Sequence, residues 1–209
     1  MKFQVSAALI GLAATAVSAQ DYIQEGPFGL SIKGTNAGST IDGYASSCHT
    51  GAGISGFCYG VGEAPPPANS IEYYFNYTGN NAVGDYQVGT LVWNQPYTGE
   101  DGPALASQGM GLTYLVNSNV AAPMFGYSQT DFLVGFDSEG ELFGYAYIND
   151  ANFVSGQFPS GTDAYNPTAL YQWAVCYQYF TGYYYQSVAW IQAGAPHNPT
   201  CEPVTITKV

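Results

Sequence analysis

The chain has 209 residues, with 3 Lys and no Arg against 15 Asp plus Glu, a formal net charge of −12. Phosphate and nucleic-acid binding depend on cationic side chains that release counterions, so DNA, RNA and anionic lipid surfaces are excluded as partners. Arg-clamp chemistry on phosphoryl or carboxylate substrates is excluded with them.

In chain order, Lys2 precedes an apolar run from Val5 to Val17, and Val17-Ser18-Ala19 supplies the small residues that a signal peptidase reads. The run is too short to span a bilayer and reads as a signal peptide over residues 1–19, cleaved after Ala19. Residues 20–209 then form a single secreted domain, whose charge drops to −13 with the loss of Lys2. Glu202 to Val209 reads as a strand, with no second apolar stretch for a span or lipid anchor.

No segment keeps a 3.6-residue period, and 26 Gly and 12 Pro interrupt the chain too often for long helices. Short runs rich in Tyr, Phe, Val and Ile alternate with turn residues and predict strands. They fall near 28–34, 41–48, 54–60, 71–78, 87–94, 111–117, 131–137, 141–148, 170–180, 183–193 and 203–208. Pro65-Pro66-Pro67 reads as a stiff connector and 151–167 as the longest loop. The expected fold is all-β, a disulfide-stapled antiparallel β-sandwich.

Four cysteines in an exported chain imply two disulfides, of which three connectivities exist. The local pairing Cys48–Cys58 and Cys176–Cys201 is preferred, each bridge giving roughly 3 kcal/mol in the loop-entropy model. A Cys-His zinc site with His49 and His197 is disfavoured, because adjacent Cys48 and His49 do not readily face one ion.

Asn76-Tyr77-Thr78 is the sole glycosylation sequon, since Asn166 and Asn198 each precede Pro. Strand alternation places Ile71, Tyr73, Phe75 and Tyr77 on one face, and Glu72, Tyr74, Asn76 and Thr78 on the polar one. Asp137-Ser138-Glu139-Gly140 separates two alternating runs and reads as a solvated hairpin turn rather than a calcium loop. A calcium loop needs further ligands beyond its Gly.

The last hairpin turns at Thr181-Gly182. A two-residue loop sets Trp173 opposite Trp190 and Val175 opposite Val188, on one face with Tyr177, Tyr179 and Tyr184. That face is the better core. Gln178, Phe180, Tyr183, Tyr185 and Ser187 then point outward or lie under another element. If outward, Gln178, Phe180, Tyr183 and Tyr185 suit neutral sugars, whose C–H faces stack on aromatic rings while amides take hydroxyls.

Catalytic devices are scarce. With two histidines and no G-x-S-x-G elbow, a nucleophilic triad is unsupported. No phosphate-binding Gly fingerprint opens a helix, and no cofactor or metal is expected. Paired carboxylates are the one device that the composition supplies, with Glu72, Asp85, Asp131 and Asp150 as undistinguished candidates.

The segments CHTGAGISGFC, TLVWN, VGFDSEGELF and ALYQWAVCYQYFTGYYYQSVAW…PHNPTC together resemble a domain-of-unknown-function family. Its members are small secreted proteins of filamentous ascomycete fungi, some labelled IgE-binding. The resemblance spans about Gly26 to Val204. It implies an all-β extracellular protein with Cys48, Cys58, Cys176 and Cys201 as the family's cysteines, and it assigns no catalytic residue. The reading is a cell-surface, matrix or host-interaction protein, with cell-wall polysaccharide or a host protein such as antibody as partner. The alternative is a glycoside hydrolase.

Overall fold

A computed structural model describes residues 22–63, 70–126, 130–148, 153–157 and 165–209. The signal segment, Pro65-Pro66-Pro67, Asp150 and part of the 151–167 loop lie outside the described residues. The fold is all-β, and every strand pairing is antiparallel. Among the described residues no helix is long and apolar enough to cross a membrane.

The sandwich expectation needs correction, because seven strands close into a barrel. These are β2 (Leu30–Gly34), β3 (Asp42–Gly51), β4 (Ile54–Val61), β8 (Val120–Phe125), β13 (Trp173–Phe180), β14 (Tyr183–Ile191) and β15 (Glu202–Lys208). The path runs β4–β3–β2–β15–β13–β14–β8 and returns to β4. Closure occurs at β4, which gives one long edge to β3 and divides the other. Cys58 pairs with Ser187 of β14, while Ser55 and Gly56 pair with Phe125 and Met124 of β8. A closed ring pairs both edges of these strands over most of their length, where an open sandwich would have end strands to protect.

A second sheet joins the barrel. It contains β1 (Ile23–Phe28), β5 (Tyr73–Val83), β6 (Tyr86–Gly99), β10 (Val134–Phe136), β11 (Leu142–Ile148) and β12 (Tyr165–Leu170). Strand β7 (Gly102–Tyr114) forms a long hairpin with β6, then crosses to pair with β8 and the short β9 (Thr130–Asp131). Strand β12 falls where a loop was expected. Its Asn166-Pro167 is turn chemistry in sequence, yet Pro is tolerated on an edge strand because one side of the ladder is unused.

The core lies between the barrel strands and the second sheet. Leu30, Ile32, Phe57, Phe125, Trp173, Val175, Val188 and Ile206 meet Tyr73, Phe75, Leu91, Val134 and Leu142. Trp173 is the centre of an aromatic cluster with Phe57, Phe132 and Trp190, at ring distances of 6.5, 5.8 and 4.9 Å. Its indole N–H donates to the Leu142 carbonyl at 2.8 Å, so the polar handle is satisfied in the core. Lys208 lies over the Phe28 and Phe136 rings and pairs with Glu25 at 3.1 Å, tying β15 to the second sheet.

Candidate functional site

The β13–β14 hairpin keeps the register read from its sequence: Trp173 faces Trp190, Val175 faces Val188 and Tyr179 faces Tyr184. Thr181 and Gly182 make the turn with φ of 52° and 93°. Positive φ at both positions is the hairpin-compatible twist, and Gly takes the second at no steric cost.

Burial divides the hairpin along its length. Trp173, Val175, Val188 and Trp190 are buried, whereas Tyr177, Tyr179 and Tyr184 on the same face are exposed. Tyr184 is 84% exposed and Tyr179 51%, and their rings meet at 4.9 Å with a 48° tilt. The strands outrun the core, so the alternation that buries tryptophan at the base presents tyrosine at the tip.

The opposite face is covered over Gln178 and Phe180 and open at Tyr183. Gln178 and Phe180 are 6% and 4% exposed. The Gln178 amide donates to Ser187 Oγ at 2.8 Å and to the Val188 carbonyl at 3.1 Å. Phe180 stacks on Tyr185 at 4.8 Å and packs with Ala122, Met124 and Ile54. The Tyr185 hydroxyl donates to the His49 carbonyl, and burial raises its pKa first, the neighbouring Tyr183 adding to it. Of the four expected ligand residues, Tyr183 alone is exposed outright. The other three anchor the hairpin.

Both disulfides support that anchor. Cys48–Cys58 staples β3 to β4 beneath Phe180. At Gly56 a Cβ would stand 3.2 Å from both Cys48 Sγ and the Phe180 ring, so the approach depends on glycine. Cys176–Cys201 fixes the 192–201 loop against β13. That loop replaces a strand partner at the outer edge of β13. Thr200 Oγ1 accepts from the Tyr177 N–H at 3.0 Å, and Asn198 Nδ2 donates to the Tyr177 carbonyl at 2.8 Å. Asn119 holds the same loop through the Ala193 and Ala195 carbonyls and the His197 N–H.

Other sequence candidates are dispersed. All four cysteine sulfurs are in disulfides, His49 and His197 lie exposed on different elements, and no metal-binding cluster occurs among the described residues. Glu72 precedes β5, Asp85 sits in the β5–β6 turn, and Asp131 lines a cleft of about 490 Å3 with Thr90, Ser107 and Gln108. Asn76 lies on β5, and Gln24 of β1 donates to its Oδ1 at 2.8 Å.

The acidic hairpin is a turn. Asp137 Oδ1 accepts from the Glu139 and Glu141 N–H groups, each at 2.9 Å, and Oδ2 accepts from the Tyr171 hydroxyl at 3.0 Å. Burial raises the Glu141 pKa, and the charges of Asp137 and Glu139 add to it. Burial and the Asp137 contact push Tyr171 up to about 12.

No protein-family model, curated protein or solved structure matches this chain.

Proposed function

We propose that this is a secreted extracellular protein of the cell-surface, matrix or host-interaction type, binding neutral polysaccharide through the tyrosines of the β13–β14 tip. One observation carries the reading: Tyr177, Tyr179 and Tyr184 are exposed on a hairpin whose other face is anchored by Phe180, Gln178 and Tyr185. Adjacent exposed aromatic rings on an anchored support are what a stacking ligand needs, with little ordering cost on binding. Tyrosine rings stack on sugar C–H faces, and their hydroxyls with Gln186, opposite Tyr177, meet sugar hydroxyls. A chain with 15 acidic residues and 3 Lys does not repel a neutral glucan or mannan.

Two disulfides fit an oxidising extracellular compartment. Glycan at Asn76 is part of the same proposal, and a shift in mobility on treatment with an amidase that removes N-glycans checks it. The surface role agrees with the fungal family resemblance, and recognition by host antibody would be a consequence of exposure rather than the protein's task.

The test is a panel of insoluble cell-wall polysaccharides assayed for pull-down and for release of reducing ends. Retention without release supports binding. Release that survives loss of the tip tyrosines contradicts it and favours the glycosidase.

A further inference from the structure

A second tyrosine group lies away from the barrel, at the edge of the other sheet. Tyr145 and Tyr147 come from β11, and Tyr165 opens the edge strand β12. The Tyr145 and Tyr165 hydroxyl oxygens are 3.5 Å apart. The Tyr147 ring lies 6.0 Å from that of Tyr145 and 6.1 Å from that of Tyr165. Tyr147 and Tyr165 are each about half exposed, so a one-electron oxidant reaches the group from solvent.

Among the described residues strand β12 pairs with β11 alone, and the register slips between Ala146 and Ile148, opposite the step from Tyr165 to Thr168. Strand β13 and the loop after β14 are fixed by the Cys176–Cys201 disulfide, while β12 has no covalent tie to its neighbour. The phenol pair stands where such a tie would close the edge.

We propose that Tyr145 and Tyr165 are a site of oxidative phenol coupling, forming an intramolecular dityrosine that staples β12 to β11. Each ring gives up one electron and its phenolic proton to hydrogen peroxide acting through a haem peroxidase. The two radicals join through one new C–C bond between carbons ortho to the hydroxyls. Those carbons each lose a hydrogen as the rings regain aromaticity and their phenols. One peroxide becomes two waters, and the protein leaves two hydrogen atoms lighter. Hydroxyl oxygens 3.5 Å apart hold the two phenol ends together, so side-chain rotation can bring their ortho carbons into contact. Coupling inside the molecule therefore outpaces encounter between molecules. Tyr147, stacked on Tyr145 and tilted against Tyr165, is with Tyr165 an exposed ring through which oxidation enters.

The full chain is treated with a haem peroxidase and hydrogen peroxide, then resolved by size and mapped by mass after Asp-specific digestion, which cuts at Asp150 and Asp163 between the two tyrosines. The expected product is a fluorescent monomer, two hydrogens lighter, with the peptides of Tyr145 and Tyr165 joined and a higher melting temperature. Tyr165→Phe and Tyr145→Phe each lower the intramolecular product at least tenfold, and Tyr97→Phe, on the distant β6, leaves it unchanged. Mapping of the unsubstituted chain decides the matter even where a variant folds poorly. Coupling confined to other tyrosines or to links between molecules, with Tyr145 and Tyr165 intact, overturns the proposal.

Discussion

The base and the tip of the β13–β14 hairpin share one alternation and one face, but they have opposite fates. At the base, Trp173 and Trp190 pack at 4.9 Å inside the core. At the tip, Tyr179 and Tyr184 meet at the same 4.9 Å in solvent. The ring separation is common to both, and the difference is the length of strand that reaches past the core. Alternation fixes which side chains share a face. It does not fix how far the opposing layer extends.

The largest break in that comparison comes from Trp173→Ala. It removes the hub of the aromatic cluster and leaves the Leu142 carbonyl without its donor. We expect a loss of about 3–5 kcal/mol in chemical denaturation. Next is Cys176→Ser with Cys201→Ser, which frees the loop that satisfies the Tyr177 backbone. A loss of roughly 3 kcal/mol is expected, with faster amide exchange at Tyr177.

Tyr185→Phe tests the anchored face. It deletes the bond to the His49 carbonyl while keeping the stack on Phe180, and should cost about 1 kcal/mol. Tyr184→Ala tests the displayed face: stability should stay within about 0.5 kcal/mol, because the ring is already in water. A stability loss for Tyr184→Ala as large as that for Trp173→Ala would erase the distinction between tip and base.

The smallest effect is on pH. Glu141 has a folded-state pKa raised by burial and by Asp137 and Glu139, so folding favours its protonated form. Its contribution is present below the ordinary carboxyl range and is lost as pH rises through the folded value. The melting temperature should therefore rise on moving from neutral pH toward pH 4.5, in the same direction as relief of the acidic chain's self-repulsion. Glu141→Gln should flatten part of that rise.

Much of the hairpin was legible in the sequence. Thr181-Gly182 between alternating runs gives the turn, the register and the Trp173–Trp190 pair, because local geometry alone determines them. The Asp137 turn was legible for the same reason. Strand β8 was not: Ala121, Ala122 and Pro123 carry no strand signal, and the segment is a strand because both its edges are occupied. Barrel closure was hidden too, since it rests on β4 dividing one edge between β14 and β8, a long-range fact.

Alternation leaves the face of Gln178 and Phe180 open to two outcomes, outward or under another element. Gln178 and Phe180 alternate as outward residues would; Phe180 is covered by Met124 and Ala122 on that unread strand, and the buried Gln178 amide is satisfied by Ser187 and the Val188 carbonyl. With β8 in place, Tyr183 is the one outright exposed tyrosine of that side, and Tyr177, Tyr179 and Tyr184 are displayed on the other.

The most direct measurement of the central claim is the affinity of Tyr179→Ala/Tyr184→Ala for the polysaccharide that retains the unsubstituted protein. Tyr185→Phe, which alters the anchored face, serves beside it. The account predicts at least a tenfold loss for the double variant, with its melting temperature kept, and little change for Tyr185→Phe. Full retention by the folded double variant would contradict it.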